Sequence, residues 1–188
     1  MKLKKQSLWR QVIGSFGYLI LPLASLISLS ACGEKNMTTF EWDASESGPK
    51  YHPMKVMSGT FELQSGGIAN IPSRAYLNAI AWGDFRSTHV GSDAEKSLPI
   101  KLTITYFSYL ENKFYQGEFD LPYEKILTLF QTPYYSSEEN ADIRYDRIVA
   151  GVSPGGGVAI WLRGFNKNTQ VFYGKAVEVE YAWSDFTE

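Results

Sequence analysis

The alternation of apolar and polar positions is clearest between residues 99 and 121. Leu102, Ile104 and Tyr106 fall on one side of an extended strand, and threonines alternate with them, a period of two in β-branched and aromatic residues. Polar residues at 111–113 then reverse the chain, and a second apolar segment returns. The pattern predicts an antiparallel hairpin whose Ile104 face lies in the core.

A helical period follows this hairpin. Ile126, Leu127 and Phe130 are spaced three and four residues apart, so they form one apolar stripe. Pro122 is suited to the first turn of a helix, where its missing N–H has no partner to lose, and a second proline follows the stripe. The sequence therefore predicts one helix at about 122–131.

The remaining extended segments are short and separated by turn residues. We expect them at 54–63, 68–71, 148–152, 158–162 and 170–181, and also at 74–82, where both faces are apolar and a short helix is the alternative. We expect loops at 83–97 and 132–142, and chain reversals at 155–157 and 165–169. The predicted fold is a mainly β (α+β) domain over residues 39–188, with an antiparallel sheet arranged as a sandwich or a partly open barrel.

The first 32 residues have the pattern of an export signal. Four basic residues, the last of them Arg10, precede an uncharged and mostly apolar stretch over 12–29. The following Leu-Ser-Ala-Cys at 29–32 resembles the bacterial lipobox, in which the thiol takes a diacylglycerol and a peptidase cuts before it. We therefore predict a lipoprotein signal peptide at 1–31, lipid attachment and palmitate-type acylation at Cys32, and a lipidated tether at 32–38.

An uncleaved transmembrane anchor is the alternative, because about 18 to 20 apolar residues can span a bilayer. Glycines, serines and Pro22 within the stretch disfavour it. Both alternatives export the rest of the chain. Gly33, directly after the cysteine, resembles lipoproteins sent on to the outer membrane. We therefore expect an outer-membrane, periplasm-facing protein attached to the membrane through lipid on Cys32.

Charge excludes one class of partner. The chain of 188 residues has 18 Lys plus Arg and 20 Asp plus Glu, and removing residues 1–31 takes away four basic residues, which leaves 14 against 20, a net charge of -6. Because a net negative charge repels the phosphate backbone, we expect no nucleic-acid partner. Cys32 is the only cysteine, so the fold has no disulfide and depends on packing.

One segment matches a nucleophile motif. Residues 151–155 read Gly-Val-Ser-Pro-Gly, the elbow pattern of α/β-hydrolases. The oxyanion in that elbow is held partly by the N–H of the residue after the nucleophile, and here that residue is Pro154, which has none. We therefore interpret Ser153 as part of a glycine turn, with no catalytic residue assigned.

Metal and acid–base sites are equally weak. The histidines are His52 and His89, and no close pair of ligands accompanies them, so we predict no metal site and no cofactor. Four carboxylates cluster at 138–146, where paired acids for glycoside cleavage could be imagined. These are Glu138, Glu139, Asp142 and Asp146. A solvated acidic loop is the simpler interpretation.

Aromatic residues supply the remaining candidates. Four tryptophans, at 42, 82, 161 and 183, are expected in the core, since a domain of this size without disulfides needs that apolar area. Tyr134 and Tyr135 lie in the acidic loop and are expected to be exposed. With Glu138 and Glu139 they form the predicted partner-binding surface, because exposed aromatic residues with polar rims dominate protein interfaces.

A family resemblance covers nearly all of the predicted domain. It is carried by Phe40 and Trp42, the stretches 51–56 and 82–84, the Phe-Ser-Tyr and Lys-Phe-Tyr elements of 106–119, and residues 153–161. Together they resemble an uncharacterised bacterial lipoprotein family, domain of unknown function 2931. The resemblance implies no established activity, fold or catalytic residue. The expectation that it adds is an immunity role, that of a lipoprotein encoded beside a secreted antibacterial effector.

Three functions are consistent with these observations. The favoured one is a non-enzymatic, protein-binding lipoprotein, for example an immunity factor that occludes a secreted toxin in the periplasm. The alternative is an envelope module that binds glycan or peptide through aromatic stacking. A hydrolase that uses Ser153 or His89 is the least favoured.

Overall fold

The computed structural model describes residues 37–73, 76–77, 81–85, 94–182 and 184. The strands are β1 (Thr39–Phe40), β2 (Asp43–Ser47), β3 (Met54–Leu63), β4 (Ile68–Asn70), β5 (Tyr76–Leu77), β6 (Lys96–Ser97), β7 (Pro99–Ser108), β8 (Lys113–Asp120), β9 (Tyr134–Ser136), β10 (Ala141–Ile143), β11 (Arg147–Ser153), β12 (Gly157–Gly164), β13 (Lys167–Lys175) and β14 (Val177–Val179). The helix α1 spans Tyr123–Gln131, and a short 3₁₀ turn spans Pro154–Gly156.

Two large sheets contain most of the strands. One has four strands in the order β13-β12-β11-β2, and the other has six, with β14-β8-β7-β3-β4 in a row and β5 paired to β3. Neighbouring strands are antiparallel except for β2 and β11, which run parallel. The predicted mainly β fold with antiparallel sheets and one helix is therefore confirmed.

The two sheets pack face to face over one apolar core, which makes the architecture a sandwich. Ile104 and Tyr106 of β7 and Ile148 and Ile160 of the four-stranded sheet belong to this core and are fully buried. Alternation of side chains along each strand explains which residues enter it. The predicted assignment of Ile104 to the inner face of its hairpin is confirmed.

Helix α1 closes one end of the sandwich. Its predicted stripe is confirmed, because Ile126 and Phe130 are buried and Leu127 is partly buried against the core. The Phe130 ring lies 5.3 Å from that of Phe40, between ring centroids. The Gln131 side-chain amide donates to the backbone oxygen of Met37 at 2.9 Å. Met37, which was expected in the tether, packs against the core.

One predicted strand is two strands in different sheets. The segment expected as a single strand at 170–181 breaks at Ala176, whose N–H donates to the Gly156 oxygen at 2.7 Å. Before the break β13 pairs with β12, and after it β14 pairs with β8. The expectation was wrong because period-two alternation continues through the break, whereas the change of sheet depends on distant partners.

Two predicted loops contain strands. Residues 134–143, within and next to the expected loop 132–142, form the hairpin β9–β10, with Asn140 at φ 51° in its turn. Lys96–Ser97, at the end of the expected loop 83–97, pairs with β1. The hairpin was missed because its strands are only three residues long and are joined by a polar, acidic turn, and β6 was missed because both of its residues are polar. Of the strand expected at 74–82, the described part is extended only at Tyr76–Leu77.

Strand β2 was not predicted at all. Its sequence is Asp-Ala-Ser-Glu-Ser, yet Ser45, Glu46 and Ser47 are fully buried. A polar strand gives no hydrophobic period, so only its pairing with β11 reveals it.

Candidate functional site

Exposed apolar side chains gather where β3 begins and β7 ends. Tyr51, Tyr76, Tyr109 and Leu110 are 78%, 44%, 36% and 64% exposed, and we call these four residues the tip. The Tyr76 and Tyr109 rings meet edge to face at 5.0 Å. The Tyr109 N–H donates to the Pro53 oxygen at 3.1 Å, which brings the turn before β3 to the turn after β7. Grouped exposed apolar residues of this kind are typical of an interaction surface.

Tyr51 is held in an unusual backbone conformation. Its φ is 69°, in the left-handed region, which bulky residues rarely occupy. The turn that contains it is closed by the His52 N–H donating to the Pro49 oxygen at 3.2 Å. Glycine or asparagine is usual at such a position, so a tyrosine there is a strained residue of the kind that clusters at functional sites.

A row of aromatic rings continues from the tip over the outer face of the six-stranded sheet. The centroid distances are 5.0 Å from Tyr109 to Phe107, 4.7 Å from Phe107 to Phe114 and 4.8 Å from Phe114 to Tyr181. Phe107 and Phe114 are a directly opposed pair on β7 and β8, which explains their contact. These ring contacts hold Tyr109 of the tip against the outer face of the six-stranded sheet.

Glu111 ties the two sheets together beside the tip. Both carboxylate oxygens accept the Gly155 N–H, each at 2.9 Å, so the β7–β8 turn is bound to the β11–β12 turn. Burial is the largest single influence on the pKa of Glu111 and raises it, but the hydrogen bond from Gly155 and the other lowering influences, among them the charge of Lys113, together outweigh burial, and the pKa lies below its usual value. Glu111 is therefore a charged clamp at neutral pH.

Ser153 lies at the end of β11, and its surroundings are those of a turn. The 3₁₀ turn follows directly, with Gly155 at φ 69°, and β12 begins at Gly157. Turn followed by strand is what the sequence predicted, in place of the helix that follows a hydrolase elbow. The Ser153 carbonyl accepts the Tyr106 hydroxyl at 3.1 Å, and burial raises the pKa of that tyrosine.

A second group of aromatic residues lies on the outer face of the four-stranded sheet. Trp82 and Phe85, from the segment 81–85, meet Trp161 of β12 and two arginines, and we call Trp82, Phe85, Arg147, Trp161 and Arg163 the arginine–aromatic cluster. The Trp82 and Trp161 rings meet edge to face at 4.9 Å. The Cζ atoms of Arg147 and Arg163 lie 3.9 Å and 5.9 Å from the centre of the Phe85 ring.

Glycines allow these aromatic residues to lie flat on the sheet. A Cβ atom at Gly151 would stand 2.3 Å from the Trp161 ring, so only glycine leaves room for it. Gly83 has φ 85°; its N–H donates to the Ser47 hydroxyl, and its oxygen accepts from the Asn168 amide at 2.8 Å. These bonds fix the segment 81–85 across the sheet.

The tryptophans have different environments. Trp42 is in the main core and Trp161 is buried in the outer cluster, so the prediction of burial is confirmed for both. Trp82 is exposed in a turn, which corrects its predicted place in the core. Trp183 lies outside the described residues, as do Cys32 and His89.

The predicted partner-binding residues lie on the β9–β10 hairpin. Tyr135 is 63% exposed, and Glu138 and Glu139 are exposed in the turn. Tyr134 is half-buried: its hydroxyl donates to the Phe165 oxygen at 2.9 Å, and the Lys167 Nζ lies 4.4 Å from its ring. The expectation that both tyrosines are exposed is therefore wrong for Tyr134, which anchors the hairpin.

A groove of about 310 Å³ opens beside Met37 and Phe40. Its wall carries opposite charges on Glu41, Glu95, Arg144 and Asp146. Burial is the main cause that raises the pKa of Asp146. Within the described ranges, three or more His, Cys, Asp or Glu side chains come together nowhere in a way that would hold a metal ion. His52 is exposed, and its ring Nδ1 lies 3.2 Å from the Lys50 oxygen.

Sequence reasoning missed the tip and both arginines of the cluster. Tyr109 and Leu110 carried a usable signal, because apolar residues next to a predicted turn are unusual. Arg147 and Arg163 flank predicted strands and carry no such signal. None of the helices in the described part of the chain has the length and apolar character needed to span a membrane.

Comparison with known proteins gives one match. A family model described as "Protein of unknown function (DUF2931)" matches residues 30–188. Neither a curated protein nor a solved structure matches the chain.

Proposed function

Since the chain belongs to the DUF2931 family of proteins of unknown function, we propose its role from its surfaces: a lipid-anchored, periplasm-facing, non-enzymatic module that binds a protein partner through the tip. The observation that carries this proposal is the gathering of four exposed apolar residues from three separate chain segments. Tyrosine is enriched among residues that dominate interface energies, and the tip has three of them.

The position of the tip supports this role. Met37 lies at the end of the sandwich where helix α1 packs, and β7, of 10 residues, runs from that end to the tip. A strand of this length spans about 30 Å at roughly 3.3 Å per residue. Cys32 precedes Met37 by five residues, which can reach at most about 17 Å. A lipid on Cys32 would therefore attach at the opposite end, leaving the tip accessible to partners.

The tip is also preorganised. The aromatic row, the Glu111 clamp and the bond from Tyr109 to Pro53 hold its turns on two packed sheets. Rigid aromatic anchors lose little conformational freedom on binding, so more of the contact energy becomes affinity. The strain at Tyr51 is consistent with a residue kept for binding at some cost in stability.

The finer proposal is that the partner is a secreted antibacterial toxin, which the domain occludes in the periplasm. The test is capture of the protein encoded by the adjacent gene, together with rescue of growth when that protein is exported. Wild type and Tyr135→Ser, a matched exposed tyrosine on the hairpin, should both capture and rescue. The double variant Tyr51→Ser, Leu110→Ser should do neither. If Tyr135→Ser lost capture and rescue as completely as the double variant, the partner-binding surface would have to include the β9–β10 hairpin.

The anchor is tested separately. Protein purified from its host should begin at Cys32 and carry the mass of three acyl chains, and Cys32→Ser should abolish both. An intact, unacylated start at Met1 would overturn the anchor and leave the tip proposal standing.

A glycan- or peptide-binding module is the second candidate, and the aromatic row favours it. Tyr76 and Tyr109 are partly exposed at the end of this row, and exposed aromatic rings offer apolar contact area to a sugar or a peptide. Saturable binding of cell-wall fragments that is lost in Tyr76→Ala would select this function over a protein partner.

A further inference from the structure

We propose that Trp82 and the polar side chains beside it form a binding site for a neutral saccharide, separate from the tip. Trp82 belongs to the arginine–aromatic cluster, and 39% of its surface is exposed. A saccharide ring has apolar C–H groups on its faces and hydroxyl groups around its edge. A site for it therefore needs an exposed aromatic face with polar groups at its border.

The arrangement of the two described tryptophans in this cluster leaves a face of the Trp82 ring uncovered by its neighbour. The Trp82 and Trp161 rings are 4.9 Å apart between centroids, and their planes are inclined by 88°. Perpendicular rings do not stack on each other, so Trp161 covers at most one of the two faces of Trp82. Trp161 is only 5% exposed, so Trp82 is the exposed ring of the pair. The partial negative charge of an aromatic face attracts the C–H groups of a sugar.

Polar side chains follow the ring. Oδ1 of Asp84 lies 3.1 Å from Nη2 of Arg163, and both side chains are partly exposed. Asn168, opposite Arg163 on β13, is exposed, and its amide donates to the Gly83 oxygen at 2.8 Å. Carboxylate oxygens accept hydrogen bonds from hydroxyl groups, and guanidinium and amide N–H groups donate to them. These side chains therefore offer both kinds of partner to sugar hydroxyls.

The segment that carries Trp82 is ordered before a ligand binds. The Gly83 N–H donates to the Ser47 hydroxyl at 3.2 Å, and the Gly83 oxygen accepts the amide of β13 described above. Phe85, at the end of the segment, lies 3.9 Å from the guanidinium carbon of Arg147. A ligand loses less free energy on binding when the groups that it contacts are already ordered.

The charges around the site cancel, which favours an uncharged ligand. Asp84 pairs with Arg163. Burial is the largest influence on the pKa of Asp146 and raises it, whereas the charges of Arg147 and Arg163 lower it, so this carboxylate interacts with both arginines. The charges of the two arginines and the two aspartates therefore sum to zero. A charged ligand would lose hydration here without gaining an unpaired opposite charge.

Shape narrows the class of saccharide further. A pyranose ring whose substituents are all equatorial has only C–H groups on its two faces. Such a ring can lie against Trp82 while its hydroxyl groups meet the neighbouring polar side chains. Chains of β-linked glucose consist of units of this form.

The test is binding of cellotriose, a neutral trimer of β-linked glucose, to the full chain, measured by calorimetry and by saturation-transfer NMR. We expect saturable binding, with the strongest saturation on the axial protons of one sugar face. Trp82→Ala should weaken binding at least about tenfold, which corresponds to about 1.4 kcal/mol. Trp82→Phe, which keeps a smaller ring, should fall between Trp82→Ala and wild type. Asp84→Asn should also weaken binding, because a neutral amide oxygen is a weaker acceptor than a carboxylate.

Phe165→Ser is the matched control, because Phe165 is similarly exposed, at 43%, in the turn between β12 and β13. It should change affinity by less than about twofold. An equal loss in this variant, unchanged affinity in Trp82→Ala, or no saturation up to about 10 mM would overturn the site. If Trp82→Ala fails to fold, Trp82→Leu, which has an apolar side chain without an aromatic ring, decides the same question.

The remaining outcomes test the ligand class and the location. The trimer of β-linked glucuronic acid, which differs from cellotriose in its carboxylates, should bind no more tightly, and tighter binding would overturn the neutral ligand. Uniform saturation of the sugar protons would overturn stacking on the ring. Binding that is lost in Tyr76→Ala but kept in Trp82→Ala would place the sugar at the tip and overturn this site.

Discussion

Replacing Glu111 by glutamine should loosen the contact between the two sheets. The carboxylate accepts the Gly155 N–H through both oxygens at 2.9 Å, and this is a link between the β7–β8 and β11–β12 turns. Glutamine keeps one acceptor oxygen and the shape of the side chain, but it removes the charge. The substitution therefore isolates the charge-assisted part of the bond.

The size of the effect follows from the kind of bond. A hydrogen bond to a charged group contributes about 1.5 to 3 kcal/mol and a neutral one about 0.5 to 1.5 kcal/mol, so Glu111→Gln should cost about 1 to 2 kcal/mol at pH 7. The pKa of Glu111 is lowered in the folded protein from its usual 4.5. The native state thus favours the ionised form, and its contribution is present above about pH 4.5 and disappears as the pH falls through the folded pKa.

The assay is urea unfolding of wild type and Glu111→Gln at pH 7 and at pH 3. The difference in unfolding free energy should shrink at the lower pH, because the wild-type carboxylate is then increasingly protonated. Glu118→Gln, at an exposed glutamate of β8, is the control and should change stability by less than about 0.5 kcal/mol. A difference between Glu111→Gln and wild type that stays constant or grows on acidification would refute the charged clamp.

Three further substitutions test the packing. Ile104→Ala should lower the unfolding free energy by about 2 to 5 kcal/mol, because the side chain is fully buried, and a loss below about 0.5 kcal/mol would show that it faces solvent. Gly151→Ala should cost about 1 to 3 kcal/mol and shift tryptophan emission, since its Cβ would meet the Trp161 ring; unchanged emission would contradict that contact. Tyr51→Gly should raise the unfolding free energy by about 0.5 to 1 kcal/mol, because glycine adopts the left-handed conformation without strain, and it should weaken partner binding. A lower unfolding free energy would mean that packing of the Tyr51 side chain stabilises the fold.

Local patterns predicted the parts of the fold whose partners are close in sequence. The hairpin of β7 and β8 and the helix α1 have their apolar period and their turn residues within about 30 residues, and both are found as expected. Prediction failed at β2, where buried Ser45, Glu46 and Ser47 show no apolar period. It failed again at Ala176, where one extended segment passes between sheets.

The candidate surfaces were less predictable than the fold. Tyr135, Glu138 and Glu139 were expected at the surface and are exposed there, because charged turn residues are rarely buried. Tyr134 was expected beside them, but its ring packs against Tyr145 and its hydroxyl donates to the Phe165 oxygen in the turn between β12 and β13. Alternation gives the two faces of a strand, but it does not tell which neighbouring turn will cover a given ring.

The sequence by itself determined that this is a β-rich domain with one helix and which face of the central hairpin is buried, since period and turn chemistry act between neighbouring residues. Tertiary structure alone decided that Tyr51, Tyr76 and Leu110 meet at one end and that Arg147 stands opposite Arg163 over Phe85. These residues come from segments far apart in the chain. Their meeting depends on the register and order of paired strands, which are set by the packing of the whole sandwich.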